Sequence, residues 1–146
     1  MYTGLLHTHS LLRFFILIAL VGVIVMALLG LINKKPYGKW DNKVSLYLLI
    51  FTHLQLVAGL ILYFISDHVK FGADTMKDKF TRYWTVEHTA TMFLVVVLIT
   101  VARITSKKMT SDQAKHKRML IFNSVALLLI VSILYMSGRG ILKLNF

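Results

Sequence analysis

Four apolar segments, at about residues 10–32, 44–66, 84–104 and 118–137, each approach or exceed the ~20 residues that a helix needs to cross a hydrocarbon core. Hydrocarbon offers no partner to a backbone N–H or C=O, so a segment of that length crosses it as a helix, which pairs those groups internally. The sequence therefore predicts an all-α integral membrane protein, an antiparallel four-helix transmembrane bundle with short connections. A chain of 146 residues has no room for a further soluble domain, so residues 1–146 read as one domain. Composition agrees: 57% of the residues are hydrophobic and the mean hydropathy is +0.70, outside the range of soluble chains.

The absence of cysteine removes disulfides, thiolate metal sites and cysteine nucleophiles, leaving His, Met, carboxylates or a bound cofactor to carry any chemistry. The net charge of +11 would suit nucleic acid in a soluble protein. In a membrane chain basic loops face anionic lipid and fix orientation, so the bilayer is the expected partner and nucleic acid is not. Lys34, Lys35, Lys39 and Lys43 lie in the first loop. Arg103, Lys107, Lys108, Lys115, Lys117 and Arg118 lie in the third. Both loops are thus predicted to be cytoplasmic, with the two termini and the 66–83 loop outside. Residues 1–10 lack the basic region and small-residue cleavage site of a signal peptide, so they are expected to remain. The mixed-charge 66–83 loop has room for a short interfacial helix, and Gly138-Arg139-Gly140 is the expected stop of the fourth span.

The ionisable residues inside the spans need a reason, because hydrocarbon makes them costly. Tyr83 and Trp84 belong at the membrane surface, which sets Glu87 and His88 just beneath it on the third span. His7 and His9 stand at the same level on the first span and His68 follows the second, so four of six histidines share the outer face. His53, with Gln55, lies roughly 15 Å deeper at about 1.5 Å per residue, near the midplane. Structurally it can bond Thr100, Asn123 or Ser124 across helices; functionally it is a candidate proton relay, quinone contact or second haem ligand. His116, among basic residues, reads as solvated.

Two imidazoles from two helices at one depth suit a b-type haem, whose iron takes axial ligands from opposite sides. His9 and His88 are the predicted iron ligands, with His7 an alternative on the first span. Arg13, one turn after His9, is positioned to meet a haem propionate. Glu87 points about 100° from His88 on a regular helix and is not its evident orienting partner. Gly59 and Ser132 are small residues that permit close helix approach or make room for a flat ligand.

Three stretches carry a family likeness: Leu5 to Arg13, with its His-Thr-His core; His53-Leu54-Gln55-Leu56-Val57-Ala58-Gly59 running on to Phe64; and Glu87-His88 with Met92. Together they resemble small bacterial four-helix membrane proteins labelled cytochrome b-like, over nearly the whole chain. A more distant likeness is to one half of haem A synthase, from which this chain departs in lacking a Glu-x-x-x-His-Arg pattern and a histidine on the fourth span. The resemblance implies a haem-binding bundle in the bacterial inner membrane. The resulting expectation is a b-type cytochrome-like protein that binds haem b near the outer face. It would exchange electrons with a quinol, a partner membrane subunit or a second copy of itself. The alternative is a non-redox assembly or transport accessory whose histidines are structural.

Overall fold

The computed structural model describes residues 1–137. Five α-helices run Tyr2–Ile32 (α1), Lys39–Ile65 (α2), Lys79–Arg82 (α3), His88–Lys107 (α4) and Asp112–Met136 (α5), with a π-helical turn over Tyr83–Glu87 joining α3 to α4. Counting α3, the π turn and α4 as one 29-residue helix, four helices are long and apolar enough to cross a membrane. No strand occurs among the described residues.

All four spans start earlier than hydropathy predicts, α1 at Tyr2 without a side-chain cap and the other three at polar capping bonds. The α2 helix begins where the Asp41 carboxylate accepts the Gly38 N–H at 2.9 Å, and α5 begins where Ser111 Oγ accepts the Ala114 N–H at 3.3 Å. The short α3 starts at Asp78, whose carboxylate accepts the Thr81 N–H at 3.1 Å; the hydrogen bonds from Thr81 hold its pKa below the ordinary aspartate value. It is the short helix for which the 66–83 loop had room. At its far end α1 unwinds through Lys34, at a φ of 52°, while the Lys35 N–H closes the turn on the Gly30 carbonyl at 3.0 Å. The expected stop at Gly138–Gly140 lies outside the described residues.

The buried side chains recur at alternating spacings of three and four, as helices packed around a common core require. On α1 the repeat runs through Ile16, Leu20, Val23, Ala27 and Gly30, and on α5 through His116, Met119, Asn123, Ala126, Ile130 and Ile133, with Ser10 and Leu134 buried besides. The opposite faces are apolar too: Ile18 is 71% exposed, Phe64 79% and Leu128 67%. Helices apolar all round are those of membrane spans or of the interior of large proteins. The α1 helix packs on α2 and α5, α4 packs on α5, and a smaller contact joins α2 to α4.

Polar clamps tie the helices at the end carrying the basic loops. Arg103, buried on α4, donates from Nη1 to the Asn42 carbonyl at 2.9 Å and to Ser45 Oγ. His116 is not solvated, as the sequence suggested, but 1% exposed. It lies against Gly30, where a Cβ would come within 2.4 Å of the ring. Its Nε2 bonds the Lys35 carbonyl, in the loop just after α1, at 3.0 Å, and the Tyr37 ring packs on it at 5.2 Å. His116 opens the buried stripe of α5 three residues before Met119, and the lysines around it fall on the other faces of that helix.

Candidate functional site

At the opposite end, α1, α2, α4 and α5 surround a cavity of about 220 Å³. His9, Ser10 and Arg13 face it from α1, Gln55 and Gly59 from α2, Tyr83, Trp84, His88 and Met92 from the third span, and Ile130 and Leu134 from α5. Most of the lining is apolar, so the few polar groups among it are the ones able to orient a ligand.

Because α1 begins at Tyr2, His9 is fully helical and its ring is held by packing. Gln55 and Gly59, one turn apart on α2, form its seat. Gln55 Nε2 donates to the His9 carbonyl at 2.8 Å, and a Cβ at Gly59 would stand 3.2 Å from His9 Cε1. The space that Gly59 leaves is therefore taken first by a side chain of this chain. Ser132, the other small residue singled out, is exposed and brings no helices together.

His88 follows the π turn directly, and such turns, which insert one extra residue, are frequent at functional sites. Tyr83 and Thr85 turn inward there, and the Tyr83 hydroxyl donates to the buried Ile133 carbonyl at 2.9 Å, fixing the turn to α5. The Tyr63 hydroxyl donates to the Thr85 carbonyl at 2.9 Å and ties the turn to α2. Glu87 is engaged by Arg82 at 2.7 Å. The His88 ring has Trp84 at 5.2 Å, Tyr83 at 5.8 Å and, across the cavity, His9 at 6.4 Å with 57° between the planes.

That last separation has a chemical meaning. Two imidazoles bound to one ion from opposite sides, at metal–nitrogen distances of about 2 Å, hold their ring centroids roughly 6 Å apart. The His9 and His88 centroids stand at a separation of that order, and Arg13 lines the same cavity. His9 Nδ1 and Gln55 Oε1 are both buried and have no hydrogen-bond partner in the protein. No group of three or more metal-binding side chains occurs among the described residues.

The other candidates lie elsewhere. His53 faces outward on α2, with Nδ1 2.9 Å from the Leu49 carbonyl and Nε2 3.5 Å from Thr100 Oγ1; of its three possible structural partners, Thr100 is the one it reaches. Asn123 turns back to its own helix, donating to the Met119 carbonyl at 2.8 Å. His7 does not line the cavity. His68 does, from the loop after α2, with its ring 6.2 Å from Trp84 and 5.1 Å from Phe80. Gln55, Tyr83 and His68 were not singled out as site residues. The signal for Gln55 was its spacing of four from Gly59, whereas Tyr83 depends on a π turn that no sequence pattern announces. No protein-family model, curated protein or solved structure matches this chain.

Proposed function

We propose that the four long helices cross a bacterial inner membrane as an antiparallel bundle, and that the chain is a b-type haem protein with His9 and His88 as the axial ligands. The observation that carries this reading is the pair of imidazoles from two helices facing each other across a mostly apolar cavity at 6.4 Å. An antiparallel order is supported by contacts between the start of one helix and the end of its neighbour: Gln55 on His9, Tyr83 on Ile133, Arg103 on Asn42.

Haem, when bound, supplies one-electron chemistry. The residues of the chain do the rest. Gly59 and Gln55 hold the His9 ring, the Tyr83–Ile133 bond holds the turn that presents His88, and Arg13 offers charge to a propionate. The apolar lining excludes water, which favours the less charged oxidation state. The bundle has little polar surface, so electrons would pass to or from a lipid-soluble quinol or a partner membrane subunit. Protein purified in detergent from cells supplied with haem precursor should show a Soret band, and α and β bands after dithionite. Their absence would end the cytochrome reading and leave the histidines to structure.

Orientation follows from the loop charges, with the basic end cytoplasmic and the His9–His88 cavity near the outer surface. The chain has no cysteine, so single cysteines report without background. Cysteines at Lys35 and Lys108 should resist an impermeant thiol reagent in intact cells, and one at Asp74 should react. Labelling of the first two with protection of the third would invert the orientation.

A further inference from the structure

We infer that Gln55 is the positioning residue for His9, accepting the Nδ1 proton when the ring binds iron through Nε2; this rests on the haem reading above. The atoms of His9 nearest to Gly59 are Cε1 and Nδ1, at 3.2 and 3.7 Å from the position of a Cβ, so the ring turns its Nδ1 edge toward α2. That edge faces the helix carrying Gln55, one turn before Gly59. An imidazole that ligates a metal through Nε2 carries its remaining proton on Nδ1, and protein sites supply that N–H with an acceptor.

Gln55 is already anchored to the same residue through Nε2, at 2.8 Å from the His9 carbonyl. A primary amide has an acceptor oxygen beside its donors, and in Gln55 this oxygen is buried and unpartnered. His9 Nδ1 is buried and unpartnered as well. One donor and one acceptor, each desolvated, are thus carried by two residues already joined. Ser10 Oγ, also buried without a partner, is the competing acceptor.

The test uses full-length, haem-loaded protein in detergent and reads the midpoint potential and haem affinity of Gln55→Glu, Gln55→Leu and Ser10→Ala. A carboxylate pulls harder on the Nδ1 proton, makes His9 the stronger donor and favours ferric iron. Gln55→Glu should therefore lower the potential, by about 59 mV for each tenfold gain in preference for the ferric form. Gln55→Leu should raise the potential and weaken haem binding roughly 10–100-fold, the usual cost of losing such a partner. A thermal melt of the haem-free variants separates out the loss of the interhelical bond to the His9 carbonyl. Unchanged potentials in both Gln55 variants, or a shift in Ser10→Ala alone, would overturn the assignment of Gln55. Failure of the wild-type protein to take up haem would instead remove the reading on which it rests.

Discussion

His9→Ala and His88→Ala should each strip the protein of low-spin haem, measured as loss of the Soret and α bands per purified chain. Removing a residue that only orients a ligand costs about 10–100-fold in metal affinity, so removing a ligand itself should cost more than that. His53→Ala should leave the spectrum intact, because its ring faces outward from α2 and bonds Leu49 and Thr100. Gly59→Leu should lower haem content without lowering the amount of inserted protein, since its added bulk falls on the His9 ring. The decisive comparison is between His9 and His53. Haem kept in His9→Ala and lost in His53→Ala would mean that the helices move enough to exchange one imidazole for the other, and the proposed ligand pair would be wrong.

The second large effect is expected at the other end of the bundle, where Gly30→Ala should destabilise the fold although it replaces glycine in a helix by the best helix former. On an open helix surface that change stabilises by about 1 kcal/mol. Here the new Cβ would fall 2.4 to 2.6 Å from three atoms of the His116 ring. Lys35 and Tyr37 hold the ring from other sides, so the clash is relieved only by displacing α5 or the loop after α1. Overpacking of this kind costs about 1–3 kcal/mol, and a buried ring nitrogen pulled off its carbonyl adds a similar amount. The expected melting temperature is therefore well below that of the wild type. In a His116→Ala background the same Gly30→Ala change should be neutral or stabilising, because the obstacle is gone. A single variant as stable as the wild type, or the same loss in both backgrounds, would show that the imidazole does not fill that notch.

The class of fold was legible because it depends on local properties. Runs of about 20 apolar residues must pair their own backbone groups, and the charge and turn residues between them mark where they stop. The level of His88 could be counted from Tyr83 and Trp84 and that of His9 from the entry of the first apolar run, which is how two residues 79 positions apart could be named as a pair from sequence. Helix ends were less legible. Apolarity marks where a span must be helical, whereas Gly38, Asp78 and Ser111, through their capping bonds, mark where the helix begins.

His116 shows where counting fails. Its neighbours Lys115, Lys117 and Arg118 suggested water on average, but burial belongs to a helix face, not to a stretch of sequence, and His116 shares its face with Met119 and Asn123. The glycine that receives it lies 86 residues away on α1. The seat of His9 on Gln55 and Gly59, the inward turn of Tyr83 and the closeness of His68 to Trp84 are likewise contacts between elements. By itself the sequence determined four long apolar helices, their basic connections and the common level of two histidines, because each follows from hydropathy and rise per residue. Tertiary structure decided which histidines face the cavity, which glycine each ring lies against and where a π turn shifts the register. These depend on helix rotation and on shape complementarity between faces, and neither is written in the periodicity of a single helix.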